Sequence, residues 1–292
     1  MNAYVLNLRE HAVGGAVTAG HLLAGDGTDA DGARLPAFTA LTRGREVVAL
    51  IHGYNNTRRE GRDALLRFAR FLDAAGVTAI MLAVLWPGDG WAKALTYPFE
   101  GKDADDSASA LVAWLTAYVD PTARVSLVAH SLGCRVAMSA AQQLAELRGP
   151  GAPTLGRVCL MGAAVDNDSL GRVGATCYRG GTLAAERLAV LASHEDRVLA
   201  VAYPLGDLAQ TILYFGERWG AALGLTGSVE HDPAVLAKLE SIPLSDPERH
   251  IDHSDYVRVE GPEDTHTIAQ ADEFVASFLT SEPPHTWSAA GR

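Results

Sequence analysis

Cysteine is scarce in this chain. Three in 292 residues, Cys134, Cys159 and Cys177, are too few and too scattered for a disulfide framework or a metal site. Cys134 lies one helical turn beyond a serine-bearing turn, and Cys159 sits in an apolar strand run. All three are expected as small core residues. Long apolar runs are also absent. No 18 consecutive apolar residues occur, so no membrane span is expected. Positive charge is in deficit, with 24 Lys and Arg against 35 Asp and Glu and a net charge of −11. Nucleic acid and anionic membrane both require a basic face, so neither is expected as a partner. The first residues carry no basic stretch followed by an apolar one, so no signal peptide is expected and a cytoplasmic, reduced protein is inferred.

What is present is core-forming sequence. Hydrophobic residues make up 48% and charged residues 20%, enough for one large α/β domain over residues 1–292. Tyr4–Leu8 reads as a first strand. Residues 9–44, rich in Gly, Ala and Asp, read as loop. Within them Gly25–Gly32 spaces its aspartates like a calcium loop, but position 37, where such a loop closes with glutamate, is Ala. Val47–Ile51 and Thr78–Trp86 are continuous apolar runs suited to strands buried on both faces. Between them Thr57–Ala75 repeats apolar residues at helical spacing (Ala64, Leu65, Phe68, Ala69, Leu72) and stops at Gly76. A helix over Ala104–Tyr118 follows, then a strand and helix around residue 131. Strands over Arg157–Ala164 and Arg187–Ala192 come next, and a last helix over Thr267–Leu279 with Thr267 and Gln270 as its capping box. Strands alternating with amphipathic helices predict a doubly wound, mostly parallel sheet with helices on both faces. Ligands of such sheets bind at the carboxyl ends of the strands.

Two motifs fall at such ends. Val125–Gly133 runs Val-Ser-Leu-Val-Ala-His-Ser-Leu-Gly, a strand, a tight turn and a helix start with Ser131 at the apex. Ala129 and Gly133 supply the small residues that crowding demands two places either side of the serine. A serine so placed is an exposed nucleophile, with its neighbour's N–H aimed at a developing oxyanion. Val47–Thr57 is again a buried strand, ending in His-Gly-Tyr-Asn-Asn-Thr.

These residues resemble the alpha/beta-hydrolase superfamily. The resemblance is to a bacterial alpha/beta-hydrolase family of unassigned function, which similarly has His-Gly-Tyr-Asn-Asn, then Trp-Pro after the next strand, Ala-His-Ser-Leu-Gly at the elbow, and a late His-Ser-x-Tyr. Here Trp86-Pro87 and His253-Ser254-Asp255-Tyr256 stand in that order, and the likeness runs from about residue 45 to 280. It implies the alpha/beta-hydrolase fold, a Ser131 nucleophile, and oxyanion donors at the backbone N–H groups of Tyr54 and Leu132. It also implies the chain order serine, acid, histidine. Asp196 fits the family spacing for the acid. Asp166, after the preceding strand, is an alternative, with Glu195 and Asp168 behind it. His253 matches the late motif for the base, and His266, just before the last helix, is the alternative. His231, His250 and His285 also follow the acid. His52 and His130 precede it. His52 is expected to fix the oxyanion loop, and His130 to fill the elbow with its ring turned into the sheet. Asn55 and Asn56 either present an amide to substrate or satisfy loop backbone.

The reading is a serine hydrolase that cleaves a carboxylic ester, thioester or amide of a small-molecule acyl substrate. A non-catalytic binding or scaffold protein on the same fold and an acyltransferase using the same residues remain alternatives. No cofactor is expected. Zinc is not expected, because His250-Ile-Asp-His253 lacks the further ligand pair such a site needs. Residues 197–250, longer than the fold needs, are a cap or extra helical segment carrying Tyr214, Phe215 and Trp219. The loop Pro87–Gly101 brings Trp91, Tyr97 and Phe99 to the same rim, which suits an apolar or aromatic acyl group. Nothing in the pattern sets an oligomeric state.

Overall fold

The computed structural model describes residues 3–12, 15–25, 34–88, 100–147, 149, 151–173, 177–201, 221–243, 251–257 and 265–281. Strands β1 (Ala3–Arg9), β2 (Val17–Ala24), β3 (Glu46–Ile51), β4 (Ile80–Leu85), β5 (Arg124–His130), β6 (Thr154–Met161), β7 (Arg187–Ala192) and β8 (Leu239–Pro243) form one sheet in the order β2-β1-β4-β3-β5-β6-β7-β8. All pairings are parallel except β1 with β2. This is the mostly parallel sheet expected.

Successive strand residues point to opposite faces, and both faces are buried. Val47, Ala49 and Ile51 of β3 join one apolar cluster, while Val48 and Leu50 join the other. The first cluster packs against α1 (Arg34–Thr42), α3 (Glu100–Tyr118) and α4 (Gly133–Glu146). The short helices α5 (Arg179–Ala184), α6 (Leu223–Thr226) and α7 (Pro233–Leu236) lie near it. The second cluster takes α2 (Arg58–Ala74) and α8 (Thr265–Thr280).

α2 starts where its sequence says. The Thr57 hydroxyl accepts from the Glu60 N–H at 3.3 Å, and the Glu60 carboxylate accepts from the Thr57 N–H at 2.9 Å. Its end is at Gly76, with φ +90°. α8 begins at Thr265, two residues before the expected capping box. Two elements lie inside the stretch expected as loop. β2 is an edge strand whose only wholly buried apolar side chain is Leu22, so it lacks an apolar alternation. α1 docks mainly through Phe38, whose ring meets Tyr4 at 5.0 Å and Trp114 at 5.5 Å. The eighth strand, which no continuous apolar run locates in the sequence, lies within residues 197–250. Tyr214, Phe215 and Trp219 lie outside the described residues, as do Trp91, Tyr97, Phe99 and the aspartates of 26–31. Cys134 and Cys159 are fully buried and burial pushes both thiols up, but Cys177 is only partly covered. Among the described residues no helix is long and apolar enough to cross a membrane.

Two buried arginines tie α8 to the amino ends of the strands. Arg157 donates to the Leu279 and Ser281 carbonyls, and Arg187 donates to the Ser281 carbonyl at 3.2 Å. Arg187 also pairs with Glu240 and lies 5.0 Å over the Phe278 ring. Cations at the last carbonyls of a helix complement its dipole. Replacing Arg187 with Ala should lower the urea unfolding free energy by about 3 kcal/mol, since it removes one member of a largely buried ion pair. A loss no greater than that of a surface arginine would contradict the clamp.

Candidate active site

The strands β3 to β7 end along one edge, and the residues singled out in the sequence collect there. Ser131 follows β5 directly. Its φ is +56°, left-handed backbone that a non-glycine residue adopts at a cost of order 1–3 kcal/mol. The turn is held by its own backbone. The Ser131 N–H donates to the Met161 carbonyl at 2.9 Å, and the Ser131 carbonyl accepts from Cys134 at 3.0 Å and Ala164 at 3.2 Å. The Ser131 N–H is therefore taken up by β6. The next N–H, of Leu132, opens the first turn of α4, where helical N–H groups have no intrahelical partner.

The loop after β3 presses onto this turn. A methyl group at Gly53 would come within 2.8 Å of Ser131 Cβ, and one at Gly133 within 2.3 Å of the His52 carbonyl oxygen. Only glycine fits either place. Ala129, buried at 0% exposure, fits with its methyl in the core. The loop is braced from behind. Trp86, wholly buried, donates from Nε1 to the His52 carbonyl at 2.8 Å and stacks on the His52 ring. His52 Nδ1 donates to the Gly53 carbonyl at 2.7 Å, and Nε2 accepts from the Trp86 N–H at 3.3 Å. The Asn56 amide donates to the Gly53 and Tyr54 carbonyls at 3.1 Å each, so this asparagine satisfies loop backbone. Asn55 takes φ +62°. Arg9, at the end of β1 and 1% exposed, donates to the Asn56 carbonyl at 2.9 Å and the Ala12 carbonyl at 3.1 Å.

Asp196 follows β7 and is wholly buried. One carboxylate oxygen accepts from the Leu199 N–H at 2.9 Å and the other faces His253 Nδ1 at 2.7 Å. His253 stands in a 3-10 turn (His253–Asp255), and its Nε2 lies 2.7 Å from Ser131 Oγ. Serine, histidine and aspartate thus form a continuous hydrogen-bonded series. The alternatives are elsewhere. Asp166 uses its carbonyl to accept from Ser169 and bridges Ala222 through its backbone. Asp168 pairs with Arg172 on the surface, and Glu195 is exposed. His266 lies in the first turn of α8, its side chain outside the described residues, as are His250 and His285. His231 is exposed. His130 does not turn into the sheet. Its ring packs against His253 and Tyr256, because the strand ends there and the loop carrying both residues covers it. Trp86 and Arg9 as braces were missed. Trp86-Pro87 stood out as a motif, but a lone Arg at a strand end gives no signal.

Burial sets the charge of the two flanking histidines. It lowers His52 to about 4, helped by the Arg9 guanidinium and opposed by the Gly53 hydrogen bond. It lowers His130 to about 3, with His253 and His52 adding to the effect. Both rings are neutral at pH 7.

The family of alpha/beta hydrolases of unknown function (DUF900) matches residues 30–212, more than half of the chain. The chain belongs to this family. No curated protein matches it. Among solved structures it is similar to a dienelactone hydrolase-like promiscuous phosphotriesterase from metagenomic libraries. Identity is 12%, with 80% of this chain and 85% of that one covered and a TM-score of 0.43. A propionate-bound esterase of Thermogutta terrifontis shares 13%, with 82% and 84% covered and a TM-score of 0.43. Carboxyl esterase 2 of Tuber melanosporum shares 11%, with 80% and 76% covered and a TM-score of 0.42. Likeness at this level says nothing of substrate.

A histidine held neutral by burial stabilises the fold above its unfolded pKa of 6.5. The unfolded chain binds more protons between 6.5 and the folded value, so that stability is lost as pH falls through this window. The His52 part, from 6.5 to about 4, is ~3 kcal/mol. Urea titrations of wild type should show unfolding free energy dropping from pH 6.5 to 4, and His52→Gln should flatten the drop by that amount. An equal slope in both proteins would contradict the buried neutral ring.

Proposed function

We propose that this protein is a serine hydrolase that cleaves a carboxylic ester through a covalent acyl-enzyme. The observation that carries the reading is the series from Ser131 Oγ to His253 Nε2 and from His253 Nδ1 to Asp196, both links 2.7 Å. A serine hydroxyl is a weak nucleophile until a base stands in hydrogen-bond reach and an acid orients that base.

In the reaction, Ser131 Oγ attacks the acyl carbonyl while His253 Nε2 takes its proton. The tetrahedral oxyanion is held by the N–H groups of Leu132 and Tyr54. The closeness of Gly53 to Ser131 supports that role for the loop, and the engagement of the Ser131 N–H by Met161 supports Leu132 as the elbow donor. Each such donor is worth ~10²–10³ in rate. The imidazolium, stabilised by Asp196, returns the proton to the departing alkoxide. A water then loses its proton to His253 and attacks the acyl carbon, the bond to Ser131 Oγ breaks to release the acid, and His253 returns the proton to Ser131 Oγ. Thioesters and amides follow the same course with a different leaving group.

Labelling with a fluorophosphonate tests the reading. Wild type should be modified at Ser131, and Ser131→Ala not at all. His253→Ala should lose labelling, and Asp196→Asn should be slowed by ~10⁴. Ester turnover by Ser131→Ala should fall by ~10⁶. Folded wild type that resists the reagent would sink the proposal. Labelling that survives in His253→Ala would move the base elsewhere, His266 first.

A further inference from the structure

We propose that His130 is a positioning residue that fixes the base His253 by holding its backbone carbonyl, and so joins the nucleophile turn to the base loop. The inference rests on the serine-hydrolase reading for its effect on rate, but its geometry stands alone.

His253 needs an external anchor. Residues 251–257 lie outside every strand, so the sheet ladder does not set their place. Side chains do this instead. Ser193 Oγ donates to the Ile251 carbonyl from the end of β7, and Asp252 closes the 3-10 turn by accepting from the His253 N–H at 2.8 Å. The carbonyl of the base residue itself is held by His130, whose Nε2 lies 2.9 Å from the His253 carbonyl oxygen. A carbonyl only accepts, so Nε2 carries the proton and donates, which leaves Nδ1 bare. Nδ1 faces Gly53. A methyl group there would come within 2.9 Å of it. His130 therefore precedes the nucleophile in sequence, underlies the oxyanion loop and grips the base loop.

His130 is 8% exposed, and its ring packs 4.8 Å from that of His253 and 5.6 Å from that of Tyr256, measured between ring centres. Tyr256 is itself wholly buried, which anchors the far end of the loop. His130 is not a second base, because its protonated nitrogen is engaged by a carbonyl and its bare one faces Gly53. Burial keeps the ring neutral, so it does not repel the imidazolium that His253 becomes during turnover. Loss of the bond frees His253 to drift, and a shift of about 1 Å in a catalytic group costs ~10² in rate.

Two variants separate donor from shape. His130→Phe keeps a ring and loses the donor. His130→Gln keeps a donor and loses the ring. Ester kcat and the fluorophosphonate labelling rate should fall ~10²-fold in the Phe variant with KM little changed, and recover most of that in the Gln variant. Should His130→Phe fail to fold, His130→Asn, whose shorter amide misses the carbonyl, takes its place. A second readout needs no turnover. Nitrogen-15 histidine NMR should show the His253 Nδ1 proton far downfield in wild type and His130→Gln, and broadened in His130→Phe. Equal rates and equally sharp signals in wild type and His130→Phe would overturn the inference, as would equal losses in both variants. Wild type that neither labels nor turns over would instead overturn the serine-hydrolase reading, and the NMR signal would then decide the positioning claim by itself.

Discussion

The site depends on one close approach, that of the loop after β3 to the turn after β5. The Gly133 position and the His52 carbonyl leave no room for a Cβ, and neither do Gly53 and Ser131. Interiors pack densely and transmit displacement, so a contact this tight sets where both segments stand. The parallel pairing of β3 with β5, in register from Glu46 with Arg124 to Ile51 with Ala129, brings the two strand ends level. The Trp86 indole, the His52 ring and the Arg9 guanidinium then hold the loop through its backbone carbonyls. The strained φ at Ser131 persists because these neighbours over-determine it.

Three histidines crowd this edge, and environment gives them different work. His52 and His130 are buried without a carboxylate, so they stay neutral and act as directed hydrogen-bond donors to backbone carbonyls. His253 sits between a carboxylate and a hydroxyl. The residue type is the same, and the partner each ring nitrogen meets decides its use.

Much of this was legible in the sequence, for physical reasons. Buried parallel strands read as apolar runs, so β3, β4, β5 and β7 stand out, and with them the segments that follow their ends. Thr57 and Glu60 announce the start of α2. Ser131 is readable because the elbow is local: strand, turn and helix lie within a dozen residues. Asp196 and His253 are distant in sequence, and only the family resemblance ranked them above Asp166 and His266. Edge strands β2 and β8 escaped because a half-covered strand lacks a continuous apolar signal. The bearing of His130 escaped because it depends on a loop more than 120 residues away, and the bracing by Arg9 because it depends on a neighbour 47 residues on.

The central claim is that Ser131 carries the acyl group between two half-reactions. Rapid mixing of the protein with an activated aryl ester, acid quenching and mass spectrometry of the digested chain test it most directly. A burst of released alcohol approaching one equivalent and an acyl adduct on the peptide bearing Ser131 are expected. Hydrolysis that persists in Ser131→Ala, or folded wild type that turns over the ester with Ser131 never acylated, would contradict it.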